Sequence, residues 1–396
     1  MTESRDAASL VVMYVGAFVS PLLAARVRLP AAVIEILLGL LVGISGLQLV
    51  HTTPFTSFLS HLGITFLMFL VGAEIDFNHI RREGLRSVLI ASLAATGILL
   101  TGVALARLLR FPPYLGLVLG AMSCGILLVA LVETGQQKSR LGQLLLLVGS
   151  IGEFLTLFGL AGFNLMHRFG AGWRLVLEVG RALVLFIVAY LLLSLLRLLV
   201  WWAPHHFERL VHADDPSEIG VRAGFVLMLS LSTLASLVGL ESILGSFLAG
   251  ALFAFVFRQR GALDAKLSAI GQGFFIPLFF ISVGVTFDVH VLANPISIIR
   301  MVALLAGASL LSKALPLLLI RLLGVPLRQV FAGAFLLSSP LTLLVAIAAL
   351  GRDLGILDAA GSGAVILLAI VSGVIFPVGY KQMLGKSIGA SSREGS

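Results

Sequence analysis

The sequence predicts an all-α protein that crosses a lipid bilayer about thirteen times. Of its 396 residues, 59% are hydrophobic and 12% are charged, and the mean hydropathy is +1.09. A soluble domain usually carries about twice that charged fraction, so a water-soluble fold is excluded. A bilayer core about 30 Å thick needs roughly 20 apolar residues per helix. The length therefore allows about thirteen helices with short loops and leaves almost nothing for a domain outside the membrane.

The predicted spans are apolar runs that are bounded by charged, Pro or Gly residues. They are 8–25, 30–49, 58–76, 87–106, 113–132, 141–166, 175–201, 221–238, 240–257, 268–287, 296–320, 327–350 and 357–380. The eighth and ninth runs are separated by almost no loop, so a count of twelve helices is the alternative.

Basic residues predict the orientation of these spans. The net charge is +8, and the Lys and Arg residues must lie mostly in loops, so the charge indicates topology rather than binding to nucleic acid. With the N-terminus outside, eighteen basic residues face inward and eight face outward. We therefore predict an outside N-terminus and a cytoplasmic C-terminus. The opening MTESRD lacks a basic character, so a cleaved signal peptide is not expected.

Internal similarity predicts a duplication. The segment EILLGLLVG at Glu35 resembles ESILGSFLAG at Glu241, and FLVGAEID at Phe69 resembles FISVGVTFD at Phe280. A cluster of small polar residues in the fifth span also has a counterpart in the twelfth. These matches keep the same order and lie 206 to about 215 residues apart, as two copies of one unit would.

A shift by seven helices reverses the orientation of the second copy, so the two repeats are predicted to be inverted. The first repeat covers 1–173 with spans one to six, and the second covers 218–384 with spans eight to thirteen. Residues 174–217 form a linker helix and a cytosolic loop, and 385–396 form a short cytosolic tail.

Two spans carry residues that favour a break in mid-helix. The fifth span has Ser123 and Cys124 between glycines, and the twelfth has Ser338, Ser339 and Pro340. A mid-helix proline removes one backbone hydrogen bond. Interrupted helices at corresponding positions of two repeats indicate a binding site near the bilayer midplane. The alternative is that the small residues only allow helices to pack closely.

Ionisable residues deep in a span are the second signal of function, because each costs roughly 2.5 to 3.5 kcal/mol at the bilayer centre. Glu153 lies near the middle of the sixth span and Lys313 lies well inside the eleventh, whereas Glu35 lies less deep in the second. A desolvated carboxylate is costly without a counter-charge, so a proton and a cation would compete for Glu153. Lys313 is the predicted charge partner, and a fixed buried ion pair that only joins two helices is the alternative.

The sequence resembles a known family in several motifs, whose order and spacing carry the likeness from about Leu29 to Gly351. They are LPAAVIEILLGLLVGISGL, LGITFLMFLVGAEIDFNHIRREG, ETGQQKSRLGQLLL, GFFIPLFFISVGVTFD and LLSKALPLLLIRLLG. Together they look like the bacterial monovalent cation:proton antiporters, which include sodium/proton exchangers and potassium-efflux antiporters. The resemblance implies a homodimer in a bacterial inner membrane, inverted repeats with two crossed discontinuous helices, and exchange by an elevator movement.

The resemblance also implies roles for single residues. Glu153 falls on the essential carboxylate of the family's sixth helix, which is usually Asp, and Lys313 falls on the basic residue of the eleventh. Glu35 falls on the acid of the second helix, and Ser123 on a small polar position of the first crossing. Gly152 stands where the family has Asp or Asn, and a site with a single acid resembles the electroneutral, one-for-one members.

Two further departures from the family pattern reduce the number of oxygen ligands. Met122 stands where a polar residue is common, and Pro340, Leu341 and Thr342 replace a charged segment of potassium-linked members. Thr342 is therefore only a secondary candidate for the site. The sequence ends at Ser396, so gating by an appended nucleotide-binding domain is not expected within it.

Three functions remain open from the sequence. The first is exchange of Na+ or K+ for protons, with Glu153 as a transient ligand of the alkali cation. The second is a non-transporting membrane subunit or sensor, which a co-purifying accessory protein would support. The third is transport of an organic solute. An enzyme is not predicted, because the histidines form no HExxH motif, and the absence of a phosphate-binding glycine loop indicates no cofactor.

Overall fold

The computed structural model describes residues 2–27, 29–74, 84–170, 218–256, 261–288 and 295–391, together with isolated residues between 172 and 195. The predicted seventh span and the loop after it, up to residue 217, therefore lie largely outside the described residues.

All regular secondary structure in these ranges is helical. The fifteen α-helices with continuous bounds are α1 (Thr2–Val27), α2 (Ala31–Val42), α3 (Pro54–Ala73), α4 (Leu85–Leu108), α5 (Pro113–Gly120), α6 (Gly125–Glu133), α7 (Arg140–Phe169), α8 (Ile219–Leu237), α9 (Ser242–Val256), α10 (Gly261–Ile270), α11 (Ile276–Val285), α12 (Pro295–Leu317), α13 (Leu327–Leu337), α14 (Leu341–Asp353) and α15 (Ala359–Ser391). A π-helical turn, Gly271–Phe275, joins α10 to α11, and a 3-10 segment, Leu318–Leu323, follows α12.

These helices confirm the predicted class. Among the described residues, nine helical segments are long and apolar enough to cross a membrane, or ten if α13 and α14 form one bent span. Two shorter apolar helices, α2 and α9, complete a set that matches twelve of the thirteen predicted spans. Because α8 and α9 are separate helices, the closely spaced eighth and ninth runs are two spans rather than one.

The second predicted span was wrong at its C-terminal end. We predicted a helix to residue 49, whereas α2 ends at Val42 after 12 residues. The chain turns back at this point, because the Leu49 and Val50 amides both donate to the Val42 carbonyl, each at 3.0 Å. Gly43, the next residue, is where the backbone approaches Val285 too closely for any side chain, so glycine and local turns end the helix before the apolar run does.

The described chain divides into two compact units, and each unit draws on both halves of the sequence. The first unit contains residues 1–23, 34–78 and 161–286, and the second contains 24–33, 79–160 and 287–396. Helices that correspond in the predicted repeats fall in the same unit. The first unit holds α2 and α3 together with α9 and α11, whereas the second holds α5 and α6 together with α13 and α14.

Within the first unit, α3 and α9 touch through their backbones. A Cβ atom at Gly72 of α3 would overlap the Phe247 carbonyl oxygen of α9, and one at Gly250 of α9 would overlap the Phe69 carbonyl oxygen of α3. Only glycine lets two helices approach this closely.

The contact between α2 and α11 repeats this pattern. A Cβ atom at Gly284 of α11 would overlap the Ile36 carbonyl oxygen of α2, and one at Gly39 of α2 would overlap the Ile281 carbonyl oxygen of α11. Each of these four residues has a counterpart in the α3–α9 contact at a distance of 211 or 212 positions in the sequence. Gly284 corresponds to Gly72, and Gly39 corresponds to Gly250. The two contacts are therefore equivalent under the offset that the sequence predicts for the duplication.

Candidate functional site

The fifth span is broken where its small polar residues predicted a break. α5 ends at Gly120 and α6 begins at Gly125. Ala121, the first residue after α5, has an extended ψ of 137°, so the helix cannot continue through it. The backbone groups between the two half-helices consequently need partners from elsewhere.

The twelfth span is also broken as predicted. α13 and α14 meet at an angle of 43°. Pro340, with ψ of 57°, lies between them outside helical geometry and offers no N–H. Within the second unit, α5 contacts α14 and α6 contacts α13. The first half of each broken span thus lies against the second half of the other span, as in two crossed broken helices.

Glu153 of α7 is held by the first break. Its side chain is 3% exposed, and both carboxylate oxygens accept a hydrogen bond from the segment between α5 and α6. The Ser123 hydroxyl donates to Oε1 at 2.7 Å, and the Cys124 backbone N–H donates to Oε2 at 3.1 Å. Cys124 immediately precedes α6, so the carboxylate lies at the positive end of a helix, where negative charge is stabilised.

Two further hydroxyls of α7 lie near this constellation and were not predicted. Ser150 Oγ is 3.4 Å from the Cys124 sulfur, and Thr156 Oγ donates to the Gly152 carbonyl at 2.7 Å. Both residues are three positions from Glu153. That spacing on one helix face was the signal in the sequence that could have found them.

Lys313 of α12 lies at the other end of the same break. Its side chain is fully buried, and its ammonium donates to the Leu119 carbonyl and to the Ser309 hydroxyl. The Ser312 hydroxyl donates to the same Leu119 carbonyl at 2.7 Å. Leu119 belongs to the last turn of α5, the negative end of that helix, where a cation is favoured. Lys313 thus bonds to the α5 end of the break, whereas Glu153 bonds to the segment that leads into α6.

The serines of the second break are buried, and their hydroxyls bond to carbonyls of the preceding turn. The Ser338 hydroxyl donates to the Ala334 carbonyl at 2.8 Å, and the Ser339 hydroxyl donates to the Leu336 carbonyl at 2.6 Å. Thr342 is half-buried in the first turn of α14. The structure therefore brings Ser123 and Cys124 to Glu153, whereas the hydroxyls of Ser338 and Ser339 bond to their own helix.

Glu35 belongs to the first unit, whereas Glu153 and Lys313 belong to the second. It is 6% exposed and accepts a hydrogen bond at 3.1 Å from the hydroxyl of Ser20 in α1. No helix break lies beside it, since α2 runs without interruption from Ala31 to Val42.

The arrangement around Glu153 suits a small monovalent ion. Among the described residues, no three His, Cys, Asp or Glu side chains come together as a resident metal site would require. One carboxylate with a neighbouring hydroxyl at a helix break offers hard oxygen ligands of the kind that an alkali cation takes. A carboxylate of this kind can also take one proton in place of the cation.

A multi-pass helical membrane protein with a buried carboxylate at crossed, broken helices has the architecture of an ion-coupled transporter. A family model described as "Sodium/hydrogen exchanger, transmembrane" matches residues 14–386. The chain belongs to this family.

Individual relatives agree with this assignment. The putative Na+/H+ antiporter YjbQ of Bacillus subtilis is 32% identical over 95% of this chain, and the chain spans 63% of the length of that protein. The probable Na+/H+ antiporter 3 of Methanocaldococcus jannaschii is 26% identical over 92% of this chain and 93% of its own length. The structure of the sodium proton antiporter MjNhaP1 from the same organism superimposes with a TM-score of 0.64, at 13% identity, over 97% of this chain and 98% of that chain. The superposition confirms the fold.

Proposed function

We propose that this protein is a secondary antiporter that exchanges a monovalent cation, Na+ or K+, for protons at Glu153. The observation that carries the proposal is the buried carboxylate whose two oxygens are held by the Ser123 hydroxyl and the Cys124 amide at a helix break. A carboxylate in this position binds a cation or a proton but not both, which is the elementary requirement of an exchanger.

The names of relatives support the cation class. YjbQ and the Methanocaldococcus protein are described as putative or probable Na+/H+ antiporters, and GerN of Bacillus cereus, 24% identical, is described as a Na+/H+-K+ antiporter. We propose one-for-one, electroneutral exchange, because a single carboxylate gains one positive charge on binding either ion. Residue 152 is glycine and adds no second acid.

The wider setting of this exchange is part of the proposal. The equivalent glycine contacts of α3–α9 and α2–α11 support two inverted repeats, and the basic residues of the loops support an outside N-terminus in a bacterial inner membrane. An elevator movement of a homodimer follows from the resemblance to the antiporter family.

Exchange in proteoliposomes tests the site. An outward Na+ or K+ gradient should drive uptake of protons, read by an internal pH dye. Glu153→Gln keeps the size and removes the charge, so we expect loss of at least 95% of the exchange rate, whereas Glu153→Asp should keep measurable exchange. Undiminished exchange by Glu153→Gln would refute the assignment of the site.

The chain's single cysteine supplies an independent readout of the same site. Cys124 is buried and donates its backbone N–H to Glu153, so labelling of its thiol by a small reagent reports on solvent access to this break. We expect slow labelling that saturating Na+ or K+ slows further. Cys124→Ser should not label, and labelling in Glu153→Gln should no longer respond to the cation.

These measurements also separate the other two functions. A non-transporting subunit or sensor would show neither cation-driven proton movement nor cation protection of Cys124. A transporter of an organic solute would show proton movement driven by that solute and not by Na+ or K+.

A further inference from the structure

The first break contacts α7 residue by residue. Ser123 and Cys124 bond to Glu153, and the Cys124 sulfur lies 3.1 Å from the position that a Cβ atom on Gly149 would take. Met122, the residue before Ser123, lies against Gly152, the residue before Glu153. The break therefore covers α7 between Gly149 and Glu153, the stretch that ends at the carboxylate.

Met122 occupies the volume that a side chain at residue 152 would need. A Cβ atom on Gly152 would overlap the Met122 Cε and would lie 2.5 Å from its sulfur and 3.2 Å from its Cβ. The Met122 side chain has no exposed surface and belongs to the hydrophobic core of the second unit. Met122 and Gly152 are thus complementary in size. A side chain at position 152 would require a smaller residue at 122 or a different Met122 rotamer.

This contact places an apolar side chain between Gly152, which precedes Glu153, and the segment that holds the carboxylate. A thioether is a weak acceptor and a soft ligand, and a methyl group is no ligand, so the Met122 side chain offers nothing that a hard alkali cation prefers. Bound water also needs polar partners, and this side chain supplies no strong one. The Thr156 hydroxyl of α7 donates to the Gly152 carbonyl on the same stretch of helix.

The chemistry of Met122 affects the two competing ions differently. A cation that binds Glu153 exchanges water for oxygen ligands of the protein, and the Met122 side chain supplies no oxygen. A proton forms a covalent O–H bond with the carboxylate and needs no such ligand. Removing the thioether and adding an oxygen would therefore favour the cation, while the proton would gain little.

We propose that Met122 is a specificity-determining residue, which sets the ratio of cation affinity to proton affinity at Glu153 by filling the space beside Gly152. The proposal rests on the proposed exchange at Glu153 and concerns how the two ions compete there. Met122 itself exchanges no proton and binds no ion.

Substitutions of Met122 test this role through apparent affinities rather than rates. In Met122→Ser and Met122→Thr, a hydroxyl and space for water replace the thioether. We expect the apparent KM for Na+ at fixed pH to fall roughly tenfold, the value for one added hydrogen bond to a charged group. The pH at which exchange is half-maximal should fall as well. Met228→Ser, which removes a fully buried methionine of the first unit, is the matched control and should leave the KM within about twofold.

Cation protection of Cys124 against labelling measures the same affinity without transport. The Na+ concentration for half-protection should also fall roughly tenfold in Met122→Ser. Wild-type exchange and its loss in Glu153→Gln are measured first, so that failure of the antiporter proposal is recognised separately. Folded Met122→Ser and Met122→Thr proteins with wild-type KM and wild-type half-protection would overturn the role of Met122.

A second pair of variants tests the complementarity directly and does not depend on the serine variant folding. Gly152→Asn alone places a side chain onto Met122 and should lower the yield of folded protein. Met122→Ala with Gly152→Asn should restore the yield and bind Na+ more tightly than the wild type, because an amide oxygen replaces the thioether. Equal yields of the single and double variants would contradict the packing on which the proposal depends.

Discussion

The two helix breaks of the second unit satisfy their backbone ends in different ways. At the second break, the hydroxyls of Ser338 and Ser339 donate to carbonyls of the preceding turn, so α13 provides its own partners. At the first break, the partners come from distant helices. Lys313 and Ser312 of α12 donate to the carbonyl of Leu119 in α5, and Glu153 of α7 accepts from the segment before α6.

This difference distinguishes a break that only interrupts a helix from a break that carries ionisable partners. A break that is closed by its own hydroxyls keeps its shape whether or not an ion is present. A break whose ends are met by an ammonium group and a carboxylate changes its electrostatics whenever either group gains or loses charge. Both interrupted helices lie where the predicted repeats correspond, but only at the first break do side chains of α7 and α12 bond to the interrupted backbone, which makes that break the candidate ion site.

The largest effect expected from this comparison is on ion affinity. Ser123→Ala removes a donor to the carboxylate, which disfavours its charged form, so the apparent KM for the cation should rise roughly tenfold. Ser338→Ala removes a hydroxyl that bonds to its own helix and should change the KM less than about twofold. Proteoliposome exchange at several Na+ concentrations measures both, and an equal response of the two variants would remove the distinction between the breaks.

A smaller effect is expected on stability at the α5 end of the first break. Ser312→Ala and Lys313→Met each leave one donor on the Leu119 carbonyl, so each should destabilise the protein by about 1 kcal/mol or less. The double variant leaves a buried carbonyl without these donors and should cost about 2 to 3 kcal/mol, more than the singles together. Unfolding of the purified protein in detergent measures the four members of this cycle. Strict additivity would mean that the two donors do not share their acceptor.

The smallest effect on the exchange rate should come from replacing Glu35, a buried carboxyl in a helix that is not interrupted. Glu35 resembles Glu153 in its burial and in its bond from a serine, but it lies in an uninterrupted helix. Glu35→Gln can keep the contact with Ser20, so exchange should stay within about twofold of the wild type. Measuring Glu35→Gln beside Glu153→Gln in the same vesicles makes the comparison direct. Loss of exchange in both would show that burial alone, rather than the helix break, selects the functional carboxylate.

Features set by local residue types could be predicted from the sequence. The glycines around Ser123 and the proline at 340 gave both breaks in the right places, and the apolar runs gave twelve described spans. The mid-span position of Glu153 was the sequence signal for the candidate site, and the structure brings this residue to the first break. These features depend on backbone chemistry and on the cost of charge in lipid, which the sequence alone contains.

Features set by the direction of side chains could not be predicted. The sequence does not say that Lys313 reaches the end of α5, nor that Ser338 and Ser339 bond backward. Relative to the family pattern, Met122 and Gly152 are two separate losses of a polar group in the sequence. Only the structure shows that the Met122 side chain fills the space beside Gly152. Each of these outcomes depends on rotamers and on helix positions that are far apart in the sequence.

The glycine contacts of the first unit have a mechanical consequence. Where Gly72 and Gly250 let α3 touch α9, and Gly39 and Gly284 let α2 touch α11, main chain meets main chain with no rotatable side chain as a spacer. Sliding along such a seam would drive carbonyl oxygens into neighbouring backbone atoms, so these helix pairs resist shear far more than pairs that are separated by leucine or methionine. The two contacts therefore make α3 with α9, and α2 with α11, rigid helix pairs.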